Sequence, residues 1–267
     1  MSVSYTIIEV PFHLGLEDVA VGKGPSRLLA AGVDQILANK GMPATVTHVR
    51  PRDLRNEGAD TIVDINRMLR HSVQEAVEQE TLPVVIAGNC NSAIGTIAGL
   101  NVERLGIVWF DKHPDFHTPE TSISGNIEGM ALAMCVGQCN AEFLERIGLE
   151  RPVAERDVIL GCFWDVETGE RERLQESWVS AHAVDSLGLL PVALDQLKER
   201  VDAIYFHIDT DFVVGVDKPE NFVSLVRETL PIAAIGITNY NPDLDENGEW
   251  LGEILKVVRA LHPAAVQ

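Results

Sequence analysis

Three apolar runs in this sequence end in side chains that can hold a metal ion or move a proton. The run 105–110 is followed by Asp111-Lys112-His113-Pro114-Asp115-Phe116-His117. In an extended segment alternate side chains share a face, which would send Asp111, His113 and Asp115 into one cavity. Two carboxylates and an imidazole suit a divalent cation such as Mn2+, Zn2+, Fe2+ or Ni2+. The plainer alternative is a polar loop with capping aspartates. The run 203–208 is followed by Asp209-Thr210-Asp211. One acid at a strand end can cap a helix, but two on one face repel unless a cation or hydrogen-bond donors hold them. With both motifs present, a shared centre is the better reading. The run 82–87 leads through Gly88-Asn89-Cys90-Asn91-Ser92 into a helical pattern. By itself that turn needs only an Asn or Ser cap to explain it.

The elements that must carry these motifs are legible as alternating patterns. Short apolar runs at 4–10, 45–49, 82–87, 105–110, 157–161, 178–181, 203–209 and 233–238 predict strands. Several are continuously apolar, as strands covered on both faces of a parallel sheet are. Helical patterns occupy 26–39, 62–79, 93–100, 190–200, 222–229 and 251–261. The first of these carries Leu28, Leu29, Val33, Ile36 and Leu37 near a 3.6-residue period, after Gly24-Pro25 as a start signal. This alternation predicts one three-layer α/β/α domain over residues 1–267, with a central, mostly parallel sheet. Ligands of such sheets sit beyond the carboxyl ends of the strands, which is where all three motifs fall.

Composition narrows the function classes. The 267 residues carry 40 acidic and 21 basic side chains, a net charge of −19. That balance disfavours a nucleic-acid backbone or an anionic membrane as partner and leaves a small molecule. No apolar stretch approaches the roughly 20 residues of a membrane span. The N-terminus lacks a secretory pattern. The four cysteines, Cys90, Cys135, Cys139 and Cys162, show no disulfide-framework spacing. The expectation is a cytoplasmic protein with reduced thiols.

Taken together the motifs resemble those of the arginase/agmatinase (ureohydrolase) family. Its members carry, in the same order and at similar separations, a Gly-Gly-Asp-His-Ser turn, an Asp-Ala-His-x-Asp motif and an Asp-x-Asp strand end. Pro11-Phe12 and Gly22-Lys23-Gly24-Pro25 are similar to the family's N-terminal turn, Thr118-Pro119 and Ser124-Gly125-Asn126 to its substrate loop, Asp165-Val166-Glu167-Thr168-Gly169-Glu170 to its Asp-Val-Asp-Pro-Gly-Glu segment, and Asn241-Pro242 to its Asn-Pro. Roughly residues 5–245 are covered.

The resemblance implies a pair of Mn2+ ions that activates water to attack the carbon of a guanidino or related group. It implies that Asp111 and Asp209 bridge the ions, that His113 and Asp211 complete one shell, and that Asp115 completes the other. It assigns His117, Ser124, Asn126, Asp165, Glu167 and Asn239 to substrate contact, counts Asp115 and Glu128 as catalytic, and implies a homo-oligomer, trimer or hexamer.

Departures from the family pattern carry information too. Cys90 falls where the family has a metal-binding His. It is either a ligand, favouring ions softer than Mn2+, or a buried small residue. Glu128 falls where arginases have a proton-passing His, and a carboxylate of raised pKa can act there as acid or base. Asn239 falls where the family has a Glu that pairs with the guanidinium, which argues against free arginine as substrate. Glu167 replaces an Asp, and the segment between 211 and 232 is short for the family. His207 reads as a satisfied core histidine, and Cys135 and Cys139 as buried thiols on one helix. The leading expectation is a metal-dependent hydrolase of a non-peptide C–N bond in a guanidino, amidino or formimino compound. The alternatives are a catalytically silent relative with a structural role and a one-metal, deacetylase-like hydrolase.

Overall fold

β-Branched and aliphatic runs form the strands, and the face each residue takes follows from the period of two. The computed structural model describes residues 4–38, 43–51 and 58–262. Its strands are β1 (Tyr5–Val10), β2 (Phe12–His13), β3 (Leu16–Glu17), β4 (Thr45–His48), β5 (Leu82–Ala87), β6 (Leu105–Phe110), β7 (Val158–Phe163), β8 (Ser180–Ala183), β9 (Ala203–Asp209) and β10 (Ile232–Thr238). Eight of them form one sheet in the order β4-β1-β5-β10-β9-β6-β7-β8, and every pairing is parallel. β2 and β3 form a separate antiparallel hairpin. Among the described residues this central sheet is parallel throughout, in line with the three-layer α/β/α expectation.

Successive residues feed opposite layers. Val108 and Phe110 of β6, Ile204, Phe206 and Ile208 of β9, and Val84 and Ile86 of β5 pack with Leu28, Leu190, Leu194, Val223 and Ile254. These belong to helices Gly24–Ala30, Leu190–Lys198, Pro219–Thr229 and Glu249–Leu261. Ile107, Trp109 and Tyr205 turn the other way, against Ile94, Ile97, Leu132 and Leu144 of helices Ser92–Gly99, Ala131–Cys135 and Ala141–Ile147. Val85 packs with Ile65, Leu69 and Val73 of helix Ala59–Glu78 on that same side. Covering both faces completes the three layers. No helix among the described residues is long and apolar enough to cross a membrane.

Three expectations need correction. The pattern at 26–39 is two helices, Gly24–Ala30 and Val33–Leu37, separated at Gly32, whose φ of 88° breaks the α-helical ladder. Residue 39 lies outside the described residues. The strand expected at 178–181 is Ser180–Ala183, because Trp178 is 80% exposed and its backbone N–H is donated to Glu155 Oε2 rather than to the sheet. Only Cys135 lies within helix Ala131–Cys135; Cys139 falls beyond it and is only partly buried, while all four thiols are free. The hairpin and helices Ala141–Ile147 and Thr168–Glu176 have no counterpart in the sequence reading, being too short or too polar to show a period.

Candidate metal centre

The central strands β5, β10, β9 and β6 end side by side, and each delivers one element of a polar cluster. Asp111 directly follows β6 and Asp209 ends β9, and each is 1% exposed. Both aspartates accept the backbone N–H two residues on: His113 N donates to Asp111 Oδ1 at 2.7 Å, and Asp211 N to Asp209 Oδ1 at 2.9 Å. These Asx turns bend the chain back over the strand ends. The motifs are thus not the extended, alternating segments the sequence suggested; after Asp209 a 3₁₀ helix, Thr210–Val214, begins at once. The fold-back achieves the convergence by another route. His113 Nδ1 lies 3.4 Å from Asp111 Oδ1 and 3.2 Å from Asp211 Oδ2. Donor atoms of Asp111, His113 and Asp211 all fall within 4.8 Å of one another.

Asp115 stands apart from that trio. Its φ of 50° and a carbonyl that accepts from Leu132 N (3.0 Å) and Ala133 N (3.2 Å) pin it against the following helix. Its Oδ2 is buried and has no hydrogen-bond partner. An orphaned carboxylate oxygen in a protein interior is costly unless something compensates it.

The electrostatics describe a cluster short of positive charge. Hydrogen bonds to Asp111 and then Asp211 push His113 up to about 11. Burial lifts Asp111 to about 6 and drives Asp115 and Asp209 well above the carboxylate range. At Asp211 burial acts upward, but the hydrogen bond and charge of His113 outweigh it and hold the group low. Two carboxylates and an imidazole at this spacing, with a further buried oxygen unpaired nearby, fit a divalent cation of the oxygen- and nitrogen-binding kind.

Cys90 lies deeper. Gly88 precedes it where a Cβ would meet Phe12 O at 2.1 Å, so only glycine lets the turn pack under the hairpin. Cys90 is 1% exposed, and its Sγ donates to Asp209 Oδ2 at 3.0 Å. Burial and then the charge of Asp209 push the thiol far up. Its sulfur, Asp111, His207 and Asp209 form a second group of potential ligands within 4.8 Å. His207 is the satisfied core histidine expected. It stacks on Trp109 with centroids 3.5 Å apart, and its nitrogens meet Tyr205 OH at 2.9 Å and Thr238 Oγ1 at 3.2 Å.

Above the cluster opens a cavity of about 460 Å³. The remaining residues singled out from the sequence line it. Asp165 pairs with Lys112 Nζ at 3.2 Å and lies 3.8 Å from His113 Nε2. His117 Nε2 lies 3.3 Å from Glu167 Oε2. Asn89 donates its side-chain amide to Glu128 Oε1, and burial pushes Glu128 up. Ser124 and Asn126 are exposed at the rim, where Asn126 Oδ1 accepts from Glu128 N at 3.1 Å. Asn239 projects from the end of β10 with a φ of 65°.

Sequence reasoning missed two titratable residues of the wall. Glu170, 3% exposed, accepts Phe116 N at 2.9 Å and lies 3.7 Å from His117. Its signal was a carboxylate three residues past Glu167 in a quoted motif. His13 comes from the hairpin, whose two-residue strands leave no pattern. A larger cavity, about 740 Å³, opens elsewhere. Two of its arginines, Arg104 and Arg200, are paired with Asp202 and Asp157, and neither group of potential ligands lies in its walls.

Comparison with known proteins adds the ancestry of this arrangement. The model of the Arginase family matches residues 3–219. The arginase of Bacillus caldovelox is 32% identical over 234 residues, spanning 80% of this chain and 78% of that protein. Its solved structure superposes with a TM-score of 0.86 at 24% identity, covering 99% of this chain and all of that one. The arginase structure from Bacillus cereus gives 0.87 at 20% identity, with coverage of 99% and 100%.

Proposed function

The chain belongs to the arginase family, and on that premise we propose that it is a metal-dependent hydrolase cleaving a non-peptide C–N bond of a guanidino, amidino or formimino compound. The observation that carries this reading is His113, held 3.4 Å from Asp111 and 3.2 Å from Asp211 at the cavity floor. Asp111, His113 and Asp211 would hold the cation, with Mn2+ the first ion to try and Zn2+, Fe2+ and Ni2+ the others. When bound, such an ion lowers the pKa of water and orients it for attack.

The chain's own groups supply the rest. Asp165, Glu167, Glu170 and Glu128 make the wall acidic and favour a cationic substrate. Glu128, with its proton affinity raised by burial and its carboxyl held by Asn89, would take a proton from water and return it to the leaving nitrogen. His117, Ser124, Asn126 and Asn239 would orient the substrate. A homo-oligomer, trimer or hexamer, accompanies this reading and is checked by light scattering.

The test is metal analysis of the purified protein, followed by a panel of guanidino, amidino and formimino compounds assayed for released urea, ammonia or formamide. Bound metal with release from at least one compound supports the proposal. A metal-loaded protein inert on the whole panel, or one that takes up no metal, refutes it.

A further inference from the structure

Asp209 is crowded by donors to a degree that bears on how many ions the centre can take. Its Oδ1 accepts from Asp211 N at 2.9 Å. Its Oδ2 accepts from Asn239 Nδ2 at 2.5 Å, Cys90 Sγ at 3.0 Å and Thr238 Oγ1 at 3.4 Å. Each carboxylate oxygen offers about two lone-pair sites, so the three donors fill Oδ2, while one site on Oδ1 is taken.

The donors are themselves anchored. With the Thr238 hydroxyl hydrogen directed at Asp209, Thr238 Oγ1 accepts from His207 Nε2–H, and His207 Nδ1 accepts from Tyr205 OH at 2.9 Å. That tautomer is assigned from the network. Asn239 Nδ2 also donates to Cys90 Sγ at 3.1 Å. Both nitrogens of the one imidazole in the inner group are therefore engaged, and its one sulfur acts as donor to Asp209 and acceptor from Asn239. None of Cys90, Asp111, His207 and Asp209 lines the cavity above. The outer group shares Asp111 but differs in its other members: its histidine is 45% exposed at the side chain, both His113 and Asp211 reach the cavity, and Asp211 Oδ2 lies 3.2 Å from that histidine.

We infer that the centre takes one cation, at Asp111, His113 and Asp211, and that the inner place beside Asp209 and Cys90 is closed by the hydrogen-bond cap of Cys90, Asn239 and Thr238. The pair of ions that the family resemblance implies does not fit this donor set. Neutral donors on Asp209 do there what a second cation would do, holding two neighbouring acids together without placing a second positive charge in the interior. This inference rests on the proposed metal-dependent reading of the same site.

The chain is stripped with a chelator, reloaded with excess Mn2+ or, in parallel, Zn2+, and desalted. Metal per chain is then counted by mass spectrometry, and the Mn2+ sample is read by electron paramagnetic resonance. One ion per chain with an isolated, uncoupled Mn2+ spectrum is expected. Cys90→Ser, which keeps a donor towards Asp209, should also hold one. Cys90→His combined with Asn239→Ala removes two of the three donors on Oδ2 and offers an imidazole, and should rise to two ions with an exchange-coupled spectrum. Two ions in the unaltered chain would overturn this inference and leave the hydrolase reading standing. No retained ion would overturn both. A folded double variant that stays at one ion would show that these side chains are not what closes the place. If the double variant does not fold, the count and spectrum of the unaltered chain decide.

Discussion

The side-chain amide of Asn239 donates to Asp209 Oδ2 across 2.5 Å, tying the carboxyl ends of β10 and β9 together one residue beyond the register pair Thr238 and Asp209. The same nitrogen reaches Cys90 Sγ at 3.1 Å, so this amide nitrogen is committed within the protein and only Oδ1 is left for a substrate. A neutral side chain occupied in this way offers no anion to a guanidinium. We expect free L-arginine to be a poor substrate. Losing a charge-assisted contact costs about 2–3 kcal/mol, roughly 30- to 150-fold in catalytic efficiency. Urea release from arginine with kcat/KM above about 10⁴ M⁻¹s⁻¹ would contradict this.

Loading the centre should release a proton from His113. Its pKa of about 11, set by the hydrogen bonds to Asp111 and Asp211, keeps the free imidazole protonated at pH 7.5, and a cation takes only the neutral ring. Calorimetric titration in buffers of different ionisation enthalpy should show at least one proton released per ion bound. His113→Ala should weaken metal binding and lower that count by one. A buffer-independent heat would rule the assignment out.

Metal should stabilise the protein more as pH rises from 4.5 to 7.5. Asp111 has a folded pKa of about 6 against 3.8 unfolded. Its contribution is fully present below the unfolded value and is lost as pH climbs through 6, on the order of 3 kcal/mol in the metal-free state. Asp115 and Asp209 shift in the same direction. Asp211, held low, loses its contribution only as pH falls below the ordinary carboxylate range, outside the window. His113 adds no slope until pH passes its unfolded 6.5. The part of the Asp111 loss that falls above pH 4.5, about 2 kcal/mol, should make the metal-induced gain in Tm grow by about 4–8 °C across the window. A constant gain, read by scanning calorimetry, would count against the buried acids as the cause.

Glu128→Gln should separate chemistry from metal binding. The amide keeps the contact region with Asn89 but cannot carry a proton. A drop in kcat of roughly 10²- to 10⁴-fold is expected, with metal content and fold unchanged. Unaltered turnover on an established substrate would remove Glu128 from the catalytic groups.

Glu170 should matter to the cavity wall in two graded ways. Glu170→Ala orphans the Phe116 N–H and should cost about 1–3 kcal/mol, whereas Glu170→Gln keeps an acceptor and should cost less. Urea unfolding of both variants provides the comparison, and equal losses would argue against that hydrogen bond.

Much of this protein is legible in its sequence. β5 and β6 carry unbroken apolar runs and β9 one interrupted only by His207, and the acids at the ends of β6 and β9, Asp111 and Asp209, announce a site at the carboxyl edge of the sheet. Local patterning determines such features because they depend on neighbours in the chain. The break at Gly32, the hairpin that brings His13 to the wall, and the short polar helix that carries Glu170 were not legible, since two-residue strands and polar helices leave no period. Tertiary structure alone decided what surrounds Asp209. Cys90 and Asn239 stand 119 and 30 residues from it along the chain, and both meet the same oxygen. No spacing rule encodes that meeting, because it depends on β5, β10 and β9 lying side by side in the sheet, out of chain order. The sequence therefore determined which side chains were available for chemistry. The pairing of strands decided which of them face the cavity and which spend their hydrogen bonds on one another.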